Sequence, residues 1–264
     1  MDKPFPPISV YILTFNNERT LRACLESVVP HADEVVVLDS GSTDRSIEIC
    51  KSYPVKLYHQ DWAGFRRQYQ KAADLTKNLW IMFVDADEVV PETVWDEIRH
   101  TLANNGETYN GYVISRRNFF MGRWIKHGAW ASDREIRLYR RDRGRWEGDL
   151  HAKVTVDGPV GELKHPYLHF PYRNISGQVQ TIDNYSETAA RDMFEQGRKV
   201  GPVHIFFRSI LRFLKEYFLK RGFLDGFPGL YIAAAGAFYV LTKYAKLWEF
   251  YKVPQNEEER DKPL

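Results

Sequence analysis

The sequence predicts an α/β fold in which a mostly parallel sheet is flanked by helices. Over the first hundred residues, short apolar runs alternate with helical patterns, which is typical of parallel strands joined by crossover helices. The runs are apolar almost throughout, as in strands that are buried on both faces. With 264 residues and a hydrophobic fraction of 44%, the chain can bury a sizeable core.

Each element of this alternation has its own signal. Apolar runs rich in β-branched residues predict strands at residues 8–13, 35–38, 55–58 and 80–84. Apolar residues at helical spacing predict the intervening helices, which include Leu21, Leu25 and Val28, then Ile47 and Cys50, then residues 64–75. Pro91 stands where a first helical residue would, and Val94, Ile98 and Leu102 follow it four residues apart.

The pattern changes after residue 111. Residues 135–138 and 153–156 alternate like half-buried strands, and Asp157-Gly158 follows as a turn. Helical patterns resume at Ser176 and continue over residues 203–220 and 229–252. The sequence therefore predicts a C-terminal helical extension behind the sheet.

Cysteine content and charge limit the class of protein. Only Cys24 and Cys50 are present, so a disulfide scaffold is excluded and a reduced compartment is expected. The first residues lack the apolar stretch of a secretory signal peptide, so we expect none. Eleven Lys/Arg stand against five Asp/Glu between Arg191 and Lys252, which predicts an anionic partner for this region.

Polar clusters follow three of the predicted strands, at residues 14–18, 39–44 and 85–88. Ligands of open α/β sheets bind beyond the carboxyl ends of the strands, so we expect the three clusters to line one crevice. Their candidate binding residues are Thr14, Asn16, Glu18, Asp39, Gly41, Ser42, Asp85, Ala86 and Asp87.

The Asp85-Ala86-Asp87 triplet suits a hard divalent cation, Mn²⁺ or Mg²⁺, which takes carboxylate, phosphate and water oxygens. Such a cation would neutralise a departing diphosphate. Alone, such a triplet more often ends a strand and caps the next helix, but its place in the alternation favours the cation. Asp39 could accept a hydrogen bond from a base or a ribose. Alternatively, it could be a turn or N-cap carboxylate that accepts only backbone N–H groups.

The sequence contains neither a G-x-G-x-x-G nor a P-loop motif, so a nicotinamide dehydrogenase and a P-loop enzyme are not supported. Residues 8–18, 35–44 and 80–88 resemble the nucleotide-binding half of family 2 glycosyltransferases, which have a GT-A fold. Residues 221–226 and 243–249 resemble the branch that contains lipopolysaccharide-core β-glucosyltransferases.

This resemblance implies an inverting, metal-dependent hexosyltransferase. The donor would be a nucleoside-diphosphate sugar, usually a UDP-sugar, and the acceptor a hydroxyl of a lipid-linked saccharide such as lipopolysaccharide core. It also implies a GT-A catalytic domain over residues 1–172, with a Rossmann-like nucleotide-binding half (1–107) and an acceptor-side half (108–172). A helical region (173–252) and a charged tail (253–264) would follow.

The resemblance assigns roles to several residues. Thr14, Asn16 and Glu18 would contact the nucleotide, Asp39 the base, and Gln68 the nucleotide or donor. Asp85 would lie near the ribose or diphosphate and the metal, and Asp87 would bind the metal.

An inverting transfer needs a general base, because the acceptor hydroxyl must lose its proton as it attacks. Asp133 stands where the family has an acidic residue, although it could equally be a surface carboxylate paired with a nearby arginine. Glu147 and Asp149 are the alternatives. His151 is a candidate for the diphosphate or metal, but this chain has His151-Ala152 where relatives often have His-Glu.

Residues 203–252 are expected to contact a membrane surface. No charged residue occurs between residues 226 and 242, and residues 206–215 mix aromatic with basic side chains, as an interfacial helix does. The alternative is a pair of helices packed on the sheet with solvated Lys and Arg. We expect a protein of the cytoplasm, peripheral on the inner face of the cell membrane, without a nucleic-acid partner.

Two other functions are compatible with parts of the sequence. A sugar-phosphate nucleotidyltransferase shares the strand layout, but it needs a Gly-rich basic loop after the first strand, which residues 14–18 lack. A catalytically impaired, membrane-associated nucleotide-sugar-binding module is supported only by the His151-Ala152 departure.

Overall fold

The computed structural model describes residues 5–105, 108–131, 133–148 and 152–252. The chain forms two compact units. The first unit comprises Met1–Phe119 and Asp133–Pro171, and the second comprises Phe120–Ser132 and Tyr172–Leu264.

The N-terminal part of the first unit is the parallel sheet that the alternation predicts. Its strands are β1 (Ile8–Thr14), β2 (Glu34–Asp39), β3 (Lys56–His59) and β4 (Trp80–Phe83), hydrogen-bonded in the order β3-β2-β1-β4. Its helices are α1 (Leu21–Val28), α2 (Ser46–Lys51), α3 (Phe65–Asp74) and α4 (Glu92–Asn105). All strand pairs in this part are parallel, so the carboxyl ends of the strands lie at one edge.

Beyond β4 the sheet becomes mixed. The remaining strands are β5 (Glu88–Val89), β6 (Gly111–Phe120), β7 (Arg123–Trp124), β8 (Asp133–Arg140), β9 (Gly144–Glu147), β10 (Lys153–Val156), β11 (Val160–Glu162) and β12 (Tyr167–His169). The order continues β4-β8-β6-β12-β5, and β8 runs antiparallel to both of its neighbours. β9 and β10 form a separate antiparallel pair.

The core of the first unit lies on both faces of this sheet. Alternate residues of β1 point to opposite faces, as strand geometry requires. Val10 and Ile12 pack in a cluster with Leu25 of α1 and Trp95 of α4. Tyr11 packs in a second cluster with α3 and with Trp146 of β9. Burial on both faces explains why these strands are apolar throughout.

The second unit contains the predicted C-terminal helices, α5 (Ile175–Glu195), α6 (Pro202–Leu214) and α7 (Gly226–Lys252). α7 packs against both α5 and α6. The helix expected over residues 203–220 becomes a π-helical turn at Lys215–Leu219, and a 3₁₀ turn at Gly222–Asp225 follows.

The unit boundaries differ from the expected layout at one segment. Residues 120–132 were expected in the acceptor-side half, but they group with the C-terminal helices. The reason is local packing: Phe120 and Ile125 form an apolar cluster with Ile232 of α7. The buried carboxylate of Asp225 also accepts the backbone N–H groups of Lys126 and His127 at 3.0 and 2.7 Å.

Candidate functional site

The loops after β1 and β2 are joined by hydrogen bonds. Thr14 and Asp39, the last residues of these strands, are register partners. The Asn16 backbone N–H donates to Ser42 Oγ at 2.9 Å, and Asn16 Oδ1 accepts the Thr43 N–H at 2.8 Å. Asn16 has a φ of 54°, in the left-handed region that asparagine tolerates better than most residues. The first two polar clusters therefore meet, as the strand order predicts.

Asp44 strengthens the same junction. Its Oδ2 accepts the Glu18 N–H and its Oδ1 accepts the Ser46 N–H, both at 2.9 Å. The carboxylate of Glu18 in turn lies 3.4 Å from Arg45 Nε. The side chains of Asn16 and Glu18 thus hold the two loops against each other, which fixes the backbone at this edge.

Asp39 combines nearly complete burial with an oxygen that lacks a partner. Its side chain Oδ2 accepts the N–H groups of Gly41 and Ser42 at 2.8 and 3.0 Å, and the residue is 1% exposed. Gly41 has a φ of +94°, a backbone conformation that residues with a side chain rarely adopt. Within the described part of the chain, Asp39 Oδ1 is buried without a hydrogen-bond partner. Buried polar atoms normally have a partner, so this oxygen is suited to accept a hydrogen bond from a ligand.

Gln68 lies beneath the second loop, fully buried. Its Nε2 donates to Ser40 Oγ at 2.7 Å and to the Gln60 carbonyl at 3.0 Å, and its Oε1 accepts from Gln60 Nε2. The amide is therefore occupied by protein groups. The structure places Gln68 as a support of the Asp39–Ser42 loop instead of as a residue exposed to a ligand.

The third cluster, Asp85–Glu88, forms a tight turn after β4. The Asp85 N–H donates to Glu88 Oε2 and the Glu88 N–H donates to the Asp85 carbonyl, both at 2.9 Å. Ala86, between the two aspartates, is buried in the core. Tyr69 of α3 donates to Asp85 Oδ1 at 3.2 Å. Burial raises the pKa of Glu88 to about 7, against the opposing effect of Arg137.

A completely buried arginine neutralises this turn. Arg137 of β8 donates through Nη1 and Nη2 to Asp85 Oδ2, both at 3.2 Å, and through Nη2 to Glu88 Oε1 at 3.0 Å. Its guanidinium carbon lies 4.5 Å from the centroid of the Phe83 ring. Burial would lower the pKa of Arg137, but the charges of Glu88 and Asp85 outweigh it and raise that pKa.

Arg116 of β6 connects the turn to Asp133. Its Nη1 lies 3.3 Å from Asp85 Oδ2 and 3.4 Å from Glu88 Oε1, and its Nη2 lies 2.5 Å from Asp133 Oδ2. Arg116 and Asp133 are also register partners in the β6–β8 pair. The structure therefore brings the candidate base Asp133 to the acidic turn, through an arginine that sequence reasoning did not single out.

Asp87 is paired with a histidine that sequence reasoning also missed. Its Oδ2 lies 3.4 Å from His169 Nε2, and His169 Nδ1 lies 2.6 Å from Asn118 Oδ1. Burial would raise the pKa of Asp87, but His169 and Arg116 outweigh it and lower that pKa. For His169 the directions are reversed: burial would lower its pKa, but Asp87 outweighs burial and raises that pKa. β12 brings His169 here because it pairs with Glu88 of β5.

The oxygen of Asp87 and the ring nitrogen of His169 are suited to bind a divalent cation. A histidine whose Nδ1–H is directed to Asn118 Oδ1 presents the lone pair of Nε2, the arrangement that second-shell partners give to metal-binding histidines. Among the described residues, no group of three or more His, Cys, Asp or Glu could hold a metal ion. Protein ligands here would number two, and waters or the oxygens of a ligand would complete the coordination, as is usual for Mg²⁺ sites.

The alternative catalytic residues are placed differently. Glu147 of β9 accepts from Arg145 Nε at 2.6 Å, and this hydrogen bond lowers the pKa of Glu147. Within the described part of the chain, the ion pair of Glu147 is with Arg145 and does not join it to the Asp85–Glu88 turn. Asp149 and His151 lie outside the described residues.

Of the residues that sequence reasoning missed, His169 had a weak signal and the arginines had none. His169 stands in a short His- and aromatic-rich stretch, residues 165–170. Arg116 and Arg137 occur in arginine-rich strands and cannot be told from their solvated neighbours by spacing alone.

Comparisons with known proteins agree with this architecture. Residues 9–156 match the sequence model of glycosyl transferase family 2. The chain is 28% identical over 254 residues to a lipopolysaccharide core biosynthesis glycosyltransferase, LpsC, of Rhizobium meliloti, with 93% of each chain covered. It is 29% identical to an uncharacterized glycosyltransferase of Rickettsia typhi, covering 92% of this chain and 87% of that one.

A solved structure shares the fold. Glucosyl-3-phosphoglycerate synthase from Mycobacterium tuberculosis, in complex with phosphoglyceric acid, aligns with a TM-score of 0.50. The alignment covers 74% of this chain and 82% of that one at 15% identity, so it bears on the fold alone. The family match spans more than half of the chain and includes all three polar clusters, and the protein therefore belongs to glycosyl transferase family 2.

Proposed function

We propose that this protein is an inverting hexosyltransferase that uses a nucleoside-diphosphate sugar, specifically a UDP-sugar. The proposal rests on the edge of the sheet where the parallel strands β1, β2 and β4 end. There the buried Asp39 Oδ1 lacks a partner within the described residues. The acceptor we propose is a hydroxyl of a lipid-linked saccharide such as lipopolysaccharide core. The name of the Rhizobium relative supports this acceptor class.

Asp39 would recognise the base. A uracil ring presents an imide N–H, and a buried carboxylate oxygen is a strong acceptor for it because charge-assisted hydrogen bonds gain strength away from water. The loops held by Asn16 and Asp44 would shape the nucleotide pocket through their backbone. Gln68 would act by keeping the Asp39–Ser42 loop in place.

Asp87 and His169 would hold a divalent cation, Mn²⁺ or Mg²⁺. A cation bound there would stabilise the negative charge of the departing diphosphate. Asp85 is less suited to the metal, because its Oδ2 already accepts from both Arg137 and Arg116. We assign Asp85 to positioning the turn that carries Asp87.

Asp133 would act as the general base. The acceptor oxygen attacks the anomeric carbon on the face opposite the diphosphate, and the bond between that carbon and the diphosphate oxygen breaks. The hydroxyl proton passes to the Asp133 carboxylate, and the electron pair of the broken bond leaves with the diphosphate. Arg116 fixes the position of the Asp133 carboxylate, and it links this candidate base to the turn after β4 through Asp85.

A lipid-linked acceptor places the reaction at a membrane surface. We propose that the protein acts in the cytoplasm, peripheral on the inner face of the cell membrane, through residues 203–252. The Lys/Arg excess of this region supports the location.

Nucleotide binding tests the donor and metal assignments. We expect thermal stabilisation by UDP over GDP and dTDP, increased by Mn²⁺. Asp39→Asn should weaken UDP binding about tenfold or more, because a buried charged hydrogen bond is lost. Asp87→Asn should remove the Mn²⁺-dependent part and leave the metal-independent part of UDP binding.

Three results would count against the proposal. Undiminished Mn²⁺ stimulation in Asp87→Asn would refute the metal assignment. Release of pyrophosphate from a nucleoside triphosphate would favour the nucleotidyltransferase. Tight UDP binding, with neither donor hydrolysis nor transfer to any extracted glycolipid, would favour the non-catalytic module.

A further inference from the structure

Helix α6 carries an apolar stripe that faces away from the protein. The stripe follows the i, i+4, i+7, i+8, i+11 spacing of one helix face and consists of Val203, Phe207, Ile210, Leu211 and Leu214. All its members are exposed, Phe207 at 57% and Leu211 at 61%. The opposite positions, Ile205 and Ser209, are buried. A surface helix of a water-soluble protein has the reverse arrangement.

The exposed apolar surface continues beyond the stripe. In the turns after α6 and at the start of α7, large exposed side chains follow one another: Phe218, Leu219, Phe223, Leu224 and Phe227. Leu219 is 80% exposed. Single exposed apolar residues are common, but this many within ten residues of one another mark a surface that contacts something apolar.

Cations gather beside the stripe. Arg208 and Arg212 each follow a stripe residue by one position on α6, and Lys243 of α7 joins them. Arg208 Cζ and Lys243 Nζ lie 5.3 and 4.9 Å from the centroid of the same ring, that of Tyr244. Arg208 Nη1 also donates to Tyr244 Oη at 2.8 Å. One tyrosine thus contacts two cations, one from α6 and one from α7.

This cation group is only partly neutralised. Arg212 lies 3.5 Å from Glu216, but within the described ranges no ion pair joins a carboxylate to Arg208 or Lys243. Burial lowers the pKa of Lys243, and the charges of Arg208, Arg212 and Arg198 lower it further, so these cations repel one another. An anion would relieve this repulsion.

We propose that the outer surface of α6 and of the turns that follow it docks onto an anionic lipid bilayer. The stripe inserts among the acyl chains, and Arg208, Arg212 and Lys243 bind the phosphates of the lipid headgroups. Aromatic and aliphatic side chains with cations at their flank are the composition of a helix that lies in a membrane interface. The charge identifies the partner as an anionic lipid surface instead of a neutral one.

α7 supports this surface but does not cross the bilayer. Residues 222–252 are long and apolar enough for a membrane span by length and composition, and only 28% of the most apolar stretch is buried. However, Lys246 Nζ of α7 lies 2.8 Å from Asp183 Oδ1 and 3.4 Å from Glu187 Oε2 of α5. α7 also packs against α5, and a span by α7 would carry the charged residues of α5 toward hydrocarbon, at high cost.

Vesicle sedimentation tests the proposal with the full chain. We expect binding to phosphatidylcholine vesicles that contain phosphatidylglycerol, and much weaker binding to phosphatidylcholine alone. Arg208→Gln with Lys243→Gln should weaken binding to the anionic vesicles about thirty-fold, since each cation near the surface contributes about a factor of five. Phe207→Ser with Leu211→Ser should weaken it by at least about tenfold.

Matched controls separate docking from general loss of apolar area or charge. Ile175→Ser with Val179→Ser removes exposed apolar residues from α5, and Lys51→Gln with Lys71→Gln removes exposed charge from the first unit. Both controls should bind vesicles like the original chain. Circular dichroism, measured in parallel, shows whether each variant is folded. UDP binding, also measured, shows whether a loss of vesicle binding is independent of the donor assignment.

Several outcomes would overturn the proposal. Equal binding to neutral and anionic vesicles would remove the role of the cations. Membrane protein that resists alkaline carbonate extraction would indicate a span by α7. No binding to any vesicle, together with an oligomer that Phe207→Ser with Leu211→Ser dissociates, would make the stripe an interface between copies of this chain.

Discussion

At the scale of single residues, charge pairing organises the candidate site. Arg137 and Arg116 share the carboxylates of Asp85 and Glu88, and Arg116 also holds Asp133. Losing one partner of such a buried group leaves an uncompensated charge, so these residues depend on one another. Asp87 differs, because its partner is a histidine that a metal can use.

The base assignment gives a prediction at this scale. Asp133→Asn should lower kcat by about 10²–10⁴-fold, because the amide cannot take the acceptor proton. The KM for the donor should change little, since Asp133 is proposed to act on the acceptor. Released UDP, measured with a glycolipid extract as acceptor, reports both parameters.

Glu147→Gln is the matched control for that prediction, because Arg145 already holds Glu147. It should retain nearly full activity. If Glu147→Gln lost activity and Asp133→Asn kept it, the base would have to be reassigned to the β9 hairpin.

The sequence indicates which acidic residues matter here, but not what surrounds them. Asp85 and Asp87 are identified by a local pattern, a buried strand followed by a turn. Arg116 and Arg137 reach Asp85 from strands that are 31 and 52 residues away along the chain. Their approach depends on the order β4-β8-β6, which no local periodicity encodes.

At the scale of elements, the parallel part of the sheet was predicted well, because each strand and helix there carries its own signal. The antiparallel insertion of β8 between β4 and β6 was not, because it depends on long-range pairing. The same holds for His169, which reaches Asp87 through the pairing of β12 with β5. Local patterns thus predicted the elements that end at residues 14, 39 and 83 more completely than those that surround Asp133.

Glu34 joins elements of the sheet and gives a pH prediction. Its buried carboxylate accepts from Ser9 Oγ at 2.5 Å, from Lys56 Nζ at 2.7 Å and from the Lys77 N–H at 2.8 Å. Burial would raise the pKa of Glu34, but these hydrogen bonds outweigh it and lower that pKa. A lowered pKa stabilises the fold above the unfolded value of about 4.3, and the effect is lost as the pH falls through the folded value.

Glu34→Gln should therefore lower the free energy of unfolding at neutral pH by about 1–3 kcal/mol. The difference from the original chain should shrink as the pH falls below about 4.3. Urea unfolding at several pH values measures it. Glu48→Gln, on the exposed surface of α2, should show no such pH dependence, and an equal dependence in both variants would contradict the assignment.

At the scale of the whole molecule, the chain divides into units that do not follow sequence order. Residues 120–132 leave the first unit and return to it at Asp133. Composition could not predict this excursion, because the segment resembles its extended neighbours. Besides the apolar cluster, the segment contacts Asp225, which is completely buried and lies 3.4 Å from Arg123 Nη2.

Asp225→Asn should loosen that segment. The amide keeps one acceptor but loses the charge that strengthens the hydrogen bonds from Lys126 and His127, and a hydrogen bond to a charged group contributes about 1.5–3 kcal/mol. Hydrogen exchange at Lys126 and His127 should become faster. Asp183→Asn, whose parent side chain is 61% exposed, is the control and should leave those amides unchanged. Unaltered protection in Asp225→Asn would show that the apolar cluster alone retains the segment.

The outward stripe of α6 also determines how the protein behaves once purified. In aqueous buffer, Phe207 and Leu211 can escape water only against another copy of the same surface, because apolar area is buried wherever it finds a partner. We therefore expect particle size in plain buffer to rise with concentration through this self-contact. In a lipid nanodisc the stripe can contact acyl chains instead of a second copy of the chain. The number of copies per nanodisc would then report the oligomeric state of the membrane-bound protein.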